Sequence, residues 1–154
     1  SIAVSVGTIL IAVIALVYIV NSIMGSISSQ FGFELSIEII LGYIFAPIAW
    51  LMGIPWSEAV ISGELLGIKT TLNEFVAYPA LAALENGELS DRSKLITFYS
   101  LCGFANLSSV GILISGITAM APERKDDLIK VSFKALVGAT LASCMTGLIV
   151  GIFI

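Results

Sequence analysis

The chain has 154 residues, 58% of them hydrophobic and 12% charged, with a formal net charge of −4 and a mean hydropathy of +1.06. Soluble domains carry about 25% charged residues, and so few charges cannot clothe a water-facing surface, which leaves a membrane protein as the class. A small, mixed charge argues against nucleic acid as a partner, and with no histidine most zinc, Ser/His and Cys/His chemistry is removed.

In chain order, residues 1–24 form an apolar run long enough to cross a hydrocarbon core of about 30 Å. The chain enters this run with neither an initiating methionine nor a charged leader region, and is read as part of a longer membrane protein. A second transmembrane helix is expected over residues 35–54, with Glu34 and Glu38 at its start, a kink at Pro47, and Trp50 and Trp56 bracketing Gly53-Ile54-Pro55 at a membrane–water boundary.

Residues 56–84 do not read as a simple span, because Glu58, Glu64, Lys69, Glu74 and Pro79 interrupt the apolar pattern. Half a membrane, about 15 Å, needs about ten helical residues, so Trp56 to Lys69 and Glu74 to Leu84 fit two half-helices joined by a turn at Thr70 to Asn73. That is a re-entrant hairpin. One long tilted helix through the same residues is the alternative. Thr71-x-x-Glu74 before an apolar run has the form of a capping box, which puts Glu74 in the first turn of the second half-helix.

Residues 91–121 are longer than a crossing needs, with Ser90 as the expected N-cap. Their middle, Cys102 to Gly111, sets an amide and two hydroxyls between glycines, which favours an unwound stretch inside a discontinuous helix. After Pro122 and a charged turn comes the last expected transmembrane helix, residues 126–154, where Ala139, Ser143, Gly147 and Gly151 make a small-residue stripe suited to close packing. Both cysteines, Cys102 and Cys144, lie in apolar runs and are read as small buried hydrophobes. Four of the seven basic residues (Arg124, Lys125, Lys130, Lys134) cluster at one connection, which is therefore assigned to the cytoplasm. The C-terminus then lies outside, and counting crossings back puts residue 1 outside as well.

Two interrupted elements at mid-membrane depth imply a polar pocket where their tips meet. Glu74 supplies a carboxylate acceptor, Asn106 both donors and acceptors, and Ser108 and Ser109 hydroxyls. Such a set suits a neutral polyhydroxylated ligand: vicinal hydroxyls donate to the carboxylate and accept from the amide. Of the two serines, Ser109 is expected to face the ligand and Ser108 to satisfy backbone; Asn73 is expected chiefly to shape the turn. Lys69 has no assigned role. With no histidine and no aspartate in mid-span, neither a metal site nor a catalytic constellation is expected, and so no enzyme.

The runs Gly67-Ile68-Lys69-Thr70-Thr71-Leu72-Asn73-Glu74-Phe75-Val76-Ala77-Tyr78 and Cys102-Gly103-Phe104-Ala105-Asn106-Leu107-Ser108-Ser109 closely resemble the two C-terminal signatures of the concentrative nucleoside transporter family. The resemblance covers nearly the whole chain. It implies an all-α polytopic protein of the cell membrane, a homotrimer that imports nucleosides on a sodium or proton gradient by alternating access. It further implies that Glu74, Asn106 and Ser109 contact the ribose and Phe104 touches the base. Most base contacts and the coupling-cation ligands would come from an N-terminal half outside this chain. A hairpin symporter for another small solute such as a carboxylate, or a non-transporting membrane assembly subunit, are the competing readings.

Overall fold

The computed structural model describes residues 2–33 and 35–154; Glu34, expected to open the second segment, lies outside the described residues. Among the described residues seven α-helices follow in chain order: α1 (Ile2–Ser28), α2 (Ile37–Leu51), α3 (Trp56–Thr71), α4 (Glu74–Ala83), α5 (Asp91–Leu101), α6 (Leu107–Met120) and α7 (Lys125–Phe153). Short 3-10 turns at Ser29–Phe31 and Pro122–Arg124 flank the two longest helices. Among the described residues no strand forms, only an isolated bridge between Asn86 and Leu89.

Among the described residues two stretches are long and apolar enough to cross a membrane, Gly7–Phe31, which takes in most of α1, and Pro122–Phe153, which contains α7. Helix α2 is shorter than the crossing expected over residues 35–54. Its 15 residues span about 22 Å, against about 30 Å of hydrocarbon. It pairs with α3, returning antiparallel to it through a turn at Met52 to Pro55 that Gly53 enters with φ 94°, a conformation only glycine adopts without strain. The pair is tight because both facing surfaces are glycine: a Cβ on Gly63 would strike the carbonyl of Gly42, and one on Gly42 would strike the Glu64 side chain.

The core joins these elements to α5 and α7. Ala46, Ala49, Met52 and Ile54 pack with Leu65, Leu66, Ile96, Leu101 and Cys144. The small-residue stripe of α7 lies against α5, where Gly147 leaves room for Ser100 and the Ile96 carbonyl, and Gly151 for the Ile96 side chain. Arg92, at the start of α5, ties this end of the molecule together by donating to the carbonyls of Gly53 (2.5 Å) and Gly151 (2.6 Å). Of the two cysteines read as buried hydrophobes, Cys144 is buried but Cys102 is exposed, because it sits where the α5 helix has ended.

By contrast α1 is largely bare, with Ile11, Leu16, Tyr18, Ile19 and Ile23 all exposed. It touches the rest at two levels. Ile9 sits beside Gly111 of α6. Further along, the Asn21 amide donates to both Glu38 oxygens (3.0 and 2.8 Å) while its oxygen accepts from the backbone N–H of Ile37 (2.9 Å), which fastens α1 to the first turn of α2.

Candidate functional site

Two interruptions of the helical backbone face each other. The first is Leu72-Asn73, between α3 and α4; the second is Cys102 to Asn106, between α5 and α6. The turn is thus shorter than Thr70 to Asn73. Each restart is capped by an asparagine in extended conformation: Asn73 Oδ1 accepts from the N–H of Val76 (3.1 Å), and Asn106 Oδ1 accepts from the N–H of Ser109 (2.7 Å). An Asx side chain fits here because its short oxygen reaches the otherwise unpaired N–H groups of the first turn. The cap expected at Thr71 is therefore corrected. Thr71 belongs to α3 and turns its hydroxyl back to the Gly67 carbonyl (2.8 Å), so Glu74 is the first residue of α4 and not the far member of a capping box.

Asn106 does more than cap. Its Nδ2 donates across the gap to Glu74 Oε2 at 3.0 Å, and reaches the Phe104 carbonyl at 3.5 Å. Asn106 is 1% exposed and Glu74 9%, so this amide–carboxylate bond is shielded from solvent and stronger than the same bond in water. Ser108, also buried, donates to the Leu72 carbonyl (3.3 Å), the acceptor left over where α3 stops. Ser109 lies one residue on and faces the other way. Together with Phe104, Ala105 and Asn106 from the break it lines a cavity of about 460 Å³, closed on its other side by Leu113 of α6 and Ser132, Leu136 and Ala139 of α7. Phe104, 71% exposed, stands at the break. Glu74 joins this cavity only through its bond to Asn106.

The C-terminal end of α5 is closed from the opposing pair of helices. Tyr78 of α4 holds its hydroxyl 3.1 Å from Cys102 Sγ and 3.4 Å from the Phe98 carbonyl. Lys69 of α3 donates to the Ser100 carbonyl at 3.3 Å. One turn further from the tip, Ser62 and Thr97 share a buried hydrogen bond of 2.7 Å. The two interruptions therefore satisfy one another: α6 supplies a donor to the end of α3, while α3 and α4 supply donors to the end of α5. Backbone polar groups freed inside an apolar protein are costly unless paired, and this exchange pairs them. Sequence reasoning gave Tyr78 no role beyond its place in the Gly67–Tyr78 run and left Lys69 unassigned. The cue it lacked was the position of each freed carbonyl, which only the folded chain defines. Gly103 lets the exchange close, since a Cβ there would run into Ser143 of α7.

Fold and site together define an all-helical membrane protein in which the junction of α3 and α4 meets the junction of α5 and α6. The profile of the Na+ dependent nucleoside transporter C-terminus family matches residues 1–151, and the chain belongs to that family. It is 42% identical over 154 residues to the uncharacterized transporter YutK of Bacillus subtilis, covering 99% of this chain and 38% of the relative. It is 40% identical over 159 residues to nucleoside permease NupC of Helicobacter pylori, covering 100% of this chain and 38% of that protein. Solute carrier family 28 member 3 of Mus musculus is 42% identical over 158 residues, covering 93% of this chain and 22% of that protein. The chain thus spans 38% of the length of these bacterial relatives. Among solved structures, a CNTnw variant in the intermediate 2 state superimposes with a TM-score of 0.91 at 43% identity, covering 99% of this chain and 39% of that one. CNTnw in an inward-facing substrate-bound state gives 0.83 at 42% identity, covering 99% of this chain and 38% of that one.

Proposed function

We propose that this chain is the substrate-gripping part of a cation-coupled nucleoside symporter, and that Glu74, Asn106 and Ser109 hold the ribose while Phe104 contacts the base. The observation that carries this reading is the Asn106–Glu74 bond at 3.0 Å. It sets a carboxylate and an amide side by side at the meeting point of the two interruptions. One hydroxyl of a vicinal pair can donate to the second Glu74 oxygen. Its neighbour can accept from Asn106 Nδ2, displacing the long contact to the Phe104 carbonyl. Ser109 adds a hydroxyl on the same side. A site of this kind rejects ligands without hydroxyls, because its own buried groups would be left unpaired.

The printed names of the relatives favour the nucleoside reading: one is a nucleoside permease, and the family description carries Na+ and nucleoside together. The coupling cation, sodium or proton, and most base contacts fall to the N-terminal part of the full-length protein. That protein works as a homotrimer in the cell membrane, and alternating access moves the α3–α4 hairpin and the interrupted helix as one body.

The hairpin is re-entrant, with its base outside and its tip at mid-membrane. The orientation that fits the packing differs from the crossing count made on the sequence. Because α2 is too short to cross and returns along α3, it drops out of the count. The start of α1 then shares the inner side with the basic Arg124–Lys134 connection, and the C-terminus stays outside. The contacts of α1 agree in direction, since Ile9 meets α6 below the break while Val17, Tyr18 and Asn21 border a cavity that reaches Leu72 at the tip.

The test is uridine uptake by the full-length protein. Glu74→Gln and Asn106→Ala each reduce uptake to background with expression and trimerisation unchanged. Near-normal uridine uptake in either variant sinks the site assignment, and uptake of a dicarboxylate in place of uridine points to the carboxylate symporter instead.

A further inference from the structure

Lys69 is the largest fully buried side chain of the described residues, with 0% exposure. A lysine is almost never enclosed in this way unless a partner holds it. Its ammonium sits at the C-terminal end of α5, where it donates to the Ser100 carbonyl (3.3 Å). That carbonyl is one of the last four of α5, which have no intrahelical donor and together form the negative end of the helix dipole. The same ammonium lies close to the backbone of the break, since a Cβ added to Gly103 would stand 3.6 Å from Nζ. The titratable groups on the elements around it are Cys144 of α7, Glu74 of α4 and Cys102 of the break. Glu74 is the one carboxylate among them. No direct ion pair joins the two, and among the described residues the one ion pair is the surface contact of Arg124 with Asp127. A single cation is thus enclosed between the end of α3 and the end of α5, beside the break whose Asn106 bonds the carboxylate assigned to the substrate.

We propose that Lys69 is a positioning residue of the ribose grip: it fixes the end of α5 against α3, so that the Phe104–Asn106 break stays in register with Glu74, and it is the countercharge for the Glu74 carboxylate. The inference rests on the reading of Glu74 as a ribose ligand given above. It gives a part in the site to a cation that is not among the side chains lining the cavity of Phe104, Asn106 and Ser109. Substrate does not touch it. Its effect passes through Glu74, so it acts on the part of the affinity that comes from hydroxyls.

The experiment measures uptake of uridine and of 3′-deoxyuridine by full-length Lys69→Met and Lys69→Arg in proteoliposomes. In Lys69→Met the KM for uridine rises about tenfold, the loss expected when a buried hydrogen-bonding group is left without its partner, while the KM for 3′-deoxyuridine changes far less. Lys69→Arg keeps the charge and recovers part of the preference. An equal loss for both substrates, or no change for either, overturns the proposal and leaves Lys69 a structural staple. Should Lys69→Met fail to accumulate, the Lys69→Met/Glu74→Gln double variant decides. Removing both charges restores accumulation if the lone carboxylate was the fault, and a double variant no better than the single one refutes the pairing. Uridine uptake that survives Glu74→Gln alone strikes the ribose reading itself, whatever Lys69 does.

Discussion

The two interruptions use the same local device and put it to different ends. At Leu72-Asn73 and at Cys102 to Asn106 an asparagine in extended backbone accepts from the N–H three residues on. The amide of Asn73 stays with its own helix. Asn106 turns its amide donor outward to Glu74 of α4. Identical capping chemistry therefore gives a turn-former at one break and a cross-element contact at the other. What separates them is which group stands opposite, and the comparison assigns a different consequence to the same substitution at each site.

The sharpest way to break this comparison is to replace each asparagine by aspartate, which caps a helix equally well. Asn106→Asp exchanges the donor that faces Glu74 for an acceptor and sets two carboxylates together, so uridine uptake by the full-length protein falls by about a hundredfold or more with the fold intact. Asn73→Asp keeps uptake within about threefold. Equal losses at the two positions in an uptake assay would mean that the asparagines share one role.

A smaller effect separates the adjacent serines. Ser108→Ala strands the Leu72 carbonyl and lowers stability by about 1–2 kcal/mol, read as a reduced melting temperature of the detergent-purified protein. Ser109→Ala leaves the melting temperature alone and raises the uridine KM severalfold. The opposite pattern would exchange their assignments. The smallest effect belongs to Asn73→Ala, which removes a cap without a cross-contact and costs about 1 kcal/mol in the same melting experiment; a loss of transport disproportionate to that figure would give Asn73 a part in binding.

Much of this was legible in the residues. Apolar runs too long for soluble helices marked α1 and α7, and the interruption of residues 91–121 by Gly103, Asn106 and two serines marked the gap between α5 and α6. Ser90 was readable as a cap, and its Oγ does accept from the N–H of Ser93. Short-range signals mislead where two compete. Thr71 and Asn73 both stand before an apolar run, and Asn73 takes the cap because its short side chain reaches the first-turn N–H while Thr71 can return its hydroxyl to the preceding turn of α3. The extent of α2 was hidden for another reason. The ends of an apolar stretch of 15 to 20 residues are poorly marked along the chain, and the glycines that set the pairing of α2 with α3, Gly42 and Gly63, lie on different helices.

What the sequence determined by itself was the class of environment, the helical content and the places where helix could not continue, since hydropathy and capping are properties of consecutive residues. Only the tertiary structure decided how the freed backbone groups were satisfied: Ser108 at the end of α3, and Lys69 and Tyr78 at the end of α5. The physical reason is that an unpaired carbonyl in an apolar interior must find a donor in space, and its nearest donors here come from helices about thirty residues away along the chain.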